Sequence, residues 1–293
     1  MGDRTGIEWT DATWNPVTGC SKVSQGCKHC YAERLFPLAY GRQRIESDGV
    51  SRQREFTDVV LHYDRLDRPL HWKRPQRIFV NSMSDLFHEA VPFEFICKVI
   101  AVAIQSPRHT FQILTKRPDR MLEWSRRHER ERHSWPAPNV QLGVSCEDQA
   151  TADERIRLLL QTPAVVRFVS AEPLLGPIDL RIQNQKSKIQ NRVDWLIAGG
   201  ESGPQARPMQ PDWVRSLRDQ CVAAGVPFFF KQWGEWAPQS AIVDDGSPFA
   251  HTYLCNSSVE ICERGERIYR VGKKRTVAML DGREWKEFPA QIG

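Results

Sequence analysis

Short apolar runs alternate with longer amphipathic stretches over most of the chain. Each run is followed by polar residues that include Gly, Pro, Ser or Asp, and then by a stretch of helical periodicity. This alternation predicts parallel strand–helix units. Six or seven such units indicate an α/β fold, a full or partial (β/α) barrel. The predicted strands lie within residues 6–14 and at 77–81, 110–114, 140–144, 165–169, 195–198 and 228–230.

Helical stretches follow most of these strands. They are predicted to begin at residues 31 and 119 and to span about 92–105, 150–160 and 211–224. Residues 184–192 are polar and interrupt the repeat, which predicts a surface insertion. From residue 237 onward the chain has only short strand-like pieces. We therefore predict a barrel over residues 1–236 and a small C-terminal appendage over 237–293 that packs on it.

Polar side chains stand directly after the predicted strands. In a (β/α) barrel the carboxyl ends of the strands meet at one mouth, where the functional site lies. We therefore expect the carboxylates, hydroxyls and cationic groups that follow these strands to face a common site.

The bulk composition is that of an ordinary globular protein. The 293 residues include 41 basic and 36 acidic residues, a net charge of +5. This balance tolerates a nucleic-acid partner without requiring one. No apolar run approaches the ~20 residues of a membrane span, and residues 1–10 show no secretory signal. The expected location is the cytoplasm, with no membrane partner.

Three of the eight cysteines are bunched in one polar loop. Cys20, Cys27 and Cys30 have the spacing C-x6-C-x2-C, and Gly19 and Gly26 make the loop bendable. Three thiolates can hold three irons of a [4Fe-4S] cluster. The fourth iron would then be open to a small molecule. This pattern predicts a metal site on the three cysteines.

Other interpretations of the loop remain open. A zinc ion would need a fourth ligand, which His29, His71 or a distant cysteine could supply, although there is no second CxxC pair. Three unrelated thiols are disfavoured because the loop is polar. Cys255 and Cys262 share a C-x6-C spacing, which is weak evidence for a second metal site.

The cysteine loop resembles the radical-SAM superfamily, whose usual spacing is C-x3-C-x2-C. The whole chain is similar to an uncharacterised phage-type family of radical-SAM-like proteins. Beyond the loop, the resemblance rests on residues 9–16 (WTDATWNP), 81–85 (NSMSD), 114–118 (LTKRP), 143–145 (GVS), 199–203 (GGESG), 231–234 (KQWG) and 280–283 (LDGR).

The resemblance implies an enzyme with two cofactors, a [4Fe-4S] cluster and S-adenosyl-L-methionine. The reduced cluster would cleave S-adenosylmethionine to a 5′-deoxyadenosyl radical, which abstracts hydrogen from an unknown substrate. We expect an electron donor of the flavodoxin or ferredoxin type, and a nucleic acid or nucleotide as substrate. The alternative is a non-catalytic protein with zinc or a cluster that binds nucleic acid or senses redox state.

The chain departs from the superfamily pattern at positions that contact S-adenosylmethionine. The residue before the last cysteine is usually aromatic and lies near the adenine; here it is His29. The superfamily's Gly-Gly-Glu element follows strand two, where this chain has Ser82, Ser84 and Asp85 instead. We expect these three residues to bind the methionine amino group.

Further candidates follow the later strands, and each has a plainer alternative. Ser145 and Glu147 are predicted to contact the cofactor, or to cap a helix. Glu172 is also a cofactor candidate, or it forms an ion pair with a nearby arginine. Glu201 is another cofactor candidate, or it belongs to a tight turn. The predicted substrate-binding residues are Lys116, Arg117, Lys231 and Trp233, which are otherwise rim or packing residues. Cys146 is the candidate hydrogen-atom donor to a substrate radical, or a small half-buried residue.

Overall fold

Seven parallel β-strands and five α-helices form the framework of the part of the chain that the structure describes. The computed structural model describes residues 5–47, 50–131, 135–181, 192–243 and 257–290. The strands are β1 (Ala12–Trp14), β2 (Arg77–Val80), β3 (Thr110–Thr115), β4 (Val140–Ser145), β5 (Val166–Ala171), β6 (Trp195–Gly199) and β7 (Phe228–Gln232). The helices are α1 (Tyr31–Tyr40), α2 (Phe93–Gln105), α3 (Pro118–Glu131), α4 (Gln149–Gln161) and α5 (Pro211–Ala224). The predicted α/β fold of the partial (β/α) barrel class is confirmed.

The chain divides into two compact units. The first comprises Met1–Val144, Leu158–Arg167 and Ile292–Gly293, and the second comprises Ser145–Arg157 and Phe168–Gln291. The predicted boundary between residues 236 and 237 stays a prediction. The predicted insertion at 184–192 lies outside the described residues except for Arg192, and so does Cys255.

In the first unit, β1, β2, β3 and β4 pair in that order, all parallel. Trp14 is in register with Val80, and Val80 with Ile113. These strands are nearly continuous apolar runs, as expected of parallel strands with both faces covered. Helix α2 buries the stripe formed by Phe95, Ile96, Val99, Ile100 and Ala103, which repeats at helical spacing.

Two short antiparallel pairs in the first unit were not predicted. Val17–Thr18 pairs with Val60–Leu61, and Arg44–Ser47 pairs with Val50–Gln53. The first pair lies directly before the cysteine loop along the chain, so it determines where the loop begins.

The second unit has its own three parallel strands, in the order β5, β6, β7. Helix α5 begins with Pro211, whose missing N–H costs nothing at a helix start, and it ends at Gly225 in the left-handed conformation. A small antiparallel sheet of Trp236–Pro238, Arg267–Arg270 and Val259–Ile261 follows. No helix in the described part of the chain is long and apolar enough to cross a membrane.

Candidate functional site

The cysteine loop is anchored at its first residue. The Gly19 N–H donates to the Met83 carbonyl at 3.1 Å, and the Cys20 N–H donates to the Phe56 carbonyl at 2.8 Å. Gly19 has a φ of +94°, and a Cβ there would lie 2.2 Å from the Asp58 carbonyl oxygen. Only glycine satisfies both conditions, so the position of Cys20 depends on Gly19.

The segment after β2 is tied to the residues that precede the loop. Asn15 Oδ1 accepts hydrogen bonds from Ser82 Oγ at 3.2 Å and from the Met83 N–H at 3.0 Å. Ser84 Oγ donates to the Val17 carbonyl at 2.8 Å. The predicted cofactor ligands Ser82 and Ser84 are therefore engaged within the protein, where they hold two chain segments together.

Arg117 connects the end of β3 to the cysteine loop. Its side chain is only 7% exposed. Nη1 lies 3.6 Å from Cys20 Sγ and 3.3 Å from Asp85 Oδ2, while Nη2 lies 2.8 Å from Ser21 Oγ. Nε donates to Glu89 Oε2 at 2.8 Å. The guanidinium thus holds two carboxylates, a hydroxyl and a thiol in one arrangement.

Asp85 is the buried counterpart of Arg117. Oδ1 accepts from Thr115 Oγ1 at 2.7 Å and from the Phe87 N–H at 2.9 Å. Oδ2 accepts from the Lys116 N–H at 3.0 Å as well as from Arg117. Four donors satisfy this carboxylate, which explains how a charge can lie in a buried position. Asp85 therefore joins the ends of β2 and β3.

Ser21 lies within a second polar group beside Arg117. His88 Nδ1 accepts from the Ala90 N–H at 3.1 Å, so the neutral ring carries its proton on Nε2 and donates to Ser21 Oγ at 2.8 Å. Burial, together with the charge of Arg117, lowers the pKa of His88. Burial alone would raise the pKa of Glu89, but its own backbone N–H and Arg117 bring it to about 2. Sequence reasoning missed Ser21, His88 and Glu89.

The three thiols are half-buried and act on one another electrostatically. Burial, with the charge of Asp85, raises the pKa of Cys20 to about 12, while Arg117 opposes the rise. Burial also raises the pKa of Cys30, and the N–H groups of Glu33 and Ala32 at the start of α1 oppose it. A thiolate at Cys27 raises the pKa of both.

The donor set of the loop fits an iron–sulfur cluster. Arg117 is placed to offset negative charge on Cys20, and the first amides of α1 donate to Cys30. Such groups favour the thiolate form, which is the ligand of iron. Within the described residues, no three His, Cys, Asp or Glu side chains are placed as ligands of one metal ion. The thiolates of a four-iron cluster each bind a different iron and need not converge on one point.

Two more predicted residues lie near the thiols. The positive charge of Lys116 lowers the pKa of Cys30, although its effect is smaller than that of burial and of the α1 amides. His29 is half-buried and makes no hydrogen bond, ion pair or ring contact with the described part of the chain. Its imidazole is therefore available to a ligand beside Cys30.

The second unit contains the predicted residues that follow β4. Glu147 is fully buried, and both of its carboxylate oxygens contact Arg155 Nη1, at 3.3 and 3.0 Å. The same nitrogen donates to the Ser145 carbonyl at 2.8 Å. Cys146 is also fully buried, and its N–H donates to the Ser170 carbonyl. Arg155 therefore engages the Glu147 carboxylate, which the sequence offered to a cofactor, whereas at Ser145 it contacts the backbone carbonyl and not the hydroxyl.

The carboxylates after β5 and β6 are likewise paired. Glu172 Oε1 accepts from Lys231 Nζ at 2.7 Å and from Gln232 Nε2 at 3.2 Å. Glu201 accepts from Arg207 Nε at 2.9 Å and Nη2 at 2.6 Å. Glu172, a predicted cofactor-binding residue, is therefore in contact with Lys231, a predicted substrate-binding residue.

Trp233 and the glycine-rich turn after β6 serve packing. Trp233 is 2% exposed, and its Nε1 donates to the Met279 carbonyl at 2.9 Å. A Cβ on Gly200 would lie 1.9 Å from the Trp233 carbonyl oxygen, so any side chain at this position would clash with the backbone of Trp233. The ring of Trp233 has no exposed face for the nucleobase stacking that the sequence suggested, so this predicted role would require the ring to move.

Sequence comparison supplies the family. Residues 4–289 match a family described as proteins of unknown function, DUF5131. The chain belongs to DUF5131. This DUF5131 chain matches no curated protein. Among solved structures it is similar to a mutant of spore photoproduct lyase, with 10% identity and a TM-score of 0.44 over 94% of this chain and 72% of that chain.

Proposed function

We propose that this DUF5131 protein is a radical S-adenosylmethionine enzyme whose [4Fe-4S] cluster is bound by Cys20, Cys27 and Cys30. The observation that carries the proposal is the contact of Arg117 with Cys20, because it ties three thiols on one loop to the strand ends β2 and β3. Three protein ligands leave one iron of a four-iron cluster without a thiolate.

The chain's own residues would bind and orient the two cofactors. A bound [4Fe-4S] cluster supplies the electron that cleaves S-adenosylmethionine to methionine and a 5′-deoxyadenosyl radical. Arg117 and the first amides of α1 offset the negative charge of the thiolates. Lys116 provides a cation for the methionine carboxylate, and the unengaged ring of His29 provides a surface for the adenine.

The remaining predicted contacts belong to the same proposal. Ser82, Ser84 and Asp85 would need to exchange their present partners in order to bind the methionine amino group. Glu147 and Glu201 would similarly have to exchange partners. Ser145 would contact the cofactor through its hydroxyl, and Cys146 would donate a hydrogen atom only to a substrate that reaches its buried thiol. Glu172 with Lys231 is a half-buried pair suited to ribose hydroxyls or to a phosphate. We retain nucleic acid or nucleotide as the proposed substrate class, and a flavodoxin- or ferredoxin-type donor.

Electron paramagnetic resonance tests the proposal. The protein is reconstituted with iron and sulfide without oxygen, reduced with dithionite, and measured with and without S-adenosylmethionine. We expect a four-iron signal that changes when S-adenosylmethionine is added, and 5′-deoxyadenosine as a product. Each of Cys20→Ser, Cys27→Ser and Cys30→Ser should lose the signal. Cys262→Ser, which removes a buried cysteine outside the loop, should keep it.

Two results would contradict the proposal. A cluster signal that ignores S-adenosylmethionine would favour a redox-sensing or structural cluster. A protein that binds stoichiometric zinc through these cysteines and forms no cluster would favour the non-catalytic alternative.

A further inference from the structure

A row of exposed basic side chains crosses the surface of the first unit. It begins in the segment of residues 63–74, which precedes β2, and continues on α2 and in the turn before β3. These five residues, which we call the basic row, form no ion pair with any carboxylate in the described part of the chain: Arg68, Lys73, Arg74, Lys98 and Arg108. The acidic residues of the segment, Asp64 and Asp67, lie instead 3.9 Å from Arg65 Nε and 3.3 Å from His71 Nε2. The charges of the row are therefore available to an anionic ligand.

Short contacts hold the segment of residues 63–74 in place. His109, just before β3, donates from Nε2 to the Pro69 carbonyl at 3.2 Å. The Tyr63 ring meets the edge of Phe95, on α2, with the ring centroids 5.0 Å apart. The backbones that carry the basic row are thus fixed relative to one another, so the row is a built surface and not a set of independent loops.

The basic row runs from the carboxyl end of β1 to the amino ends of β2 and β3. Near its first end, Tyr63 follows His62, whose N–H donates to the Pro16 carbonyl at 2.7 Å, and Pro16 lies just after β1. At the other end, Arg74 and Arg108 lie just before β2 and β3. Because the cysteine loop follows β1 along the chain, the row leads toward the proposed site.

Apolar side chains are exposed between the cations. Tyr63 is 59% exposed and Leu70 is 39% exposed, and Lys98 Nζ lies 5.1 Å from the centroid of the Tyr63 ring. Single-stranded nucleic acid fits such a surface, since its phosphates pair with cations while its unstacked bases contact aromatic rings. A duplex keeps its bases stacked inside, and a protein partner would need a larger apolar centre than these separate side chains provide.

We propose that the basic row binds single-stranded nucleic acid and holds the strand along the first unit, beside the carboxyl end of β1. The cations contact phosphates, and the exposed ring of Tyr63 stacks on a base. This inference deepens the proposed function, because it rests on nucleic acid as the substrate class. It does not rest on the cluster, since the row shares no residue with the cysteine loop.

Fluorescence anisotropy tests the proposal on the full chain. The probe is a fluorescein-labelled oligothymidylate of about 20 nucleotides, titrated with the protein before and after reconstitution of the cluster. We expect the same affinity in both forms. The logarithm of the binding constant should fall with the logarithm of the salt concentration with a slope of about −3.5, because each phosphate contact of a single strand contributes about −0.7. The same strand in a duplex should bind about tenfold more weakly, since its bases cannot reach Tyr63.

Variants separate the basic row from the rest of the surface charge. Arg68→Ala with Arg74→Ala removes two cations of the row, so we expect the affinity to fall about tenfold and the salt slope to become shallower by about 1.4. Arg267→Ala with Lys274→Ala is the matched control, because it makes the same change in net charge at exposed residues of the second unit. This control should change neither quantity. Tyr63→Leu removes the ring but no charge, and should lower the affinity about fivefold at an unchanged slope.

Several outcomes would overturn the proposal: no binding of the strand at about 50 mM salt, equal losses in the two double variants, wild-type affinity in Tyr63→Leu, or tighter binding of the duplex. These outcomes are distinct from a failure of the proposed function. A cluster signal that responds to S-adenosylmethionine, in a protein that does not bind the strand, would contradict this inference alone. Strand binding by a protein that forms no cluster would contradict the radical S-adenosylmethionine proposal and support this one.

Discussion

Arg117 links two residues of the cysteine loop, Cys20 and Ser21, to the carboxylates of Asp85 and Glu89. It reaches back 96 residues to Ser21 and 32 residues to Asp85. A buried charged group of this kind contributes less through its net attraction than through the penalty incurred when its partners are left unpaired. The side chains of Asp85 and Arg117 are 8% and 7% exposed, so water cannot replace the missing partner.

We therefore expect Arg117→Met to destabilise the metal-free protein by about 3 kcal/mol, measured as the free energy of unfolding in urea. Arg52→Gln is the comparison. Arg52 pairs with Asp58 at an exposed position, and surface ion pairs contribute little because water screens them. Arg52→Gln should therefore lower the free energy of unfolding by much less than Arg117→Met. Equal losses in the two variants would show that Arg117 is not an essential connection.

His62 makes the stability of the first unit depend on pH. Its Nε2 lies 2.7 Å from Thr18 Oγ1. Burial, assisted by the charges of Arg65 and Arg54, lowers its pKa from 6.5 to about 4. As pH falls below 6.5, the unfolded chain binds a proton at His62 that the folded chain does not accept until about pH 4. Stability is thus full above pH 6.5 and is lost as pH falls toward 4.

This shift predicts a loss of about 3 kcal/mol from His62 between pH 7 and pH 4. Urea unfolding of wild type and His62→Gln across this range measures it, because glutamine has no ionisable group. The variant should lose less stability than wild type on acidification. Parallel stability curves for the two proteins would contradict the lowered pKa.

At the scale of elements, the strands of the framework could be predicted because they are runs of apolar residues. Residues 78–80 and 228–230 are uninterrupted examples, and their predicted positions agree with β2 and β7 to within two residues. The pair Arg44–Ser47 and Val50–Gln53 could not be predicted. Its strands are four residues long and mostly polar, so no apolar alternation distinguishes them from a loop.

The residues of the site also fall into two groups, those that the sequence pattern predicts and those that it does not. The strand-end rule pointed to Asp85 and Arg117, because each follows an apolar run. Their partners could not be found in this way. Ser21 and Glu89 lie in irregular segments without periodicity, and only the folded chain brings them within hydrogen-bond distance of Arg117. Sequence patterns thus locate the end of a strand but not the side chain it meets.

Glu147 and Arg155 form a buried ion pair within the second unit. Glu147 directly follows β4, and Arg155 lies within α4; their side chains are 0% and 5% exposed. Arg155→Met should lower the free energy of unfolding by about 3–5 kcal/mol, because it leaves the Glu147 carboxylate buried without its cation. The double variant Glu147→Leu with Arg155→Met should recover much of that loss, since it removes both charges. Urea unfolding of wild type, the single variant and the double variant measures both effects. A free energy of unfolding for Arg155→Met within about 1 kcal/mol of the wild-type value would contradict the prediction.

At the scale of the whole molecule, charge bears on the proposed electron donor. The net charge is +5, and several exposed basic residues lie on or beside the cysteine loop, at Lys22, Lys28 and Arg34. On α1, Leu35 and Leu38 are 42% and 85% exposed. Exposed leucines with a basic rim suit an acidic protein partner, because opposite charges speed the encounter and apolar contact follows it.

If the proposed cluster is present, its reduction by an acidic flavodoxin or ferredoxin should slow as salt is added, because the attraction is screened over about 10 Å at 0.1 M salt. Stopped-flow absorbance measures the second-order rate constant. Arg34→Glu should lower it about threefold at low salt and much less at high salt. Arg126→Glu, an exposed charge reversal on α3, makes the same change in net charge away from the loop. Equal slowing in both variants would mean that only the total charge matters, whereas slowing confined to Arg34→Glu would mean that the donor approaches over α1.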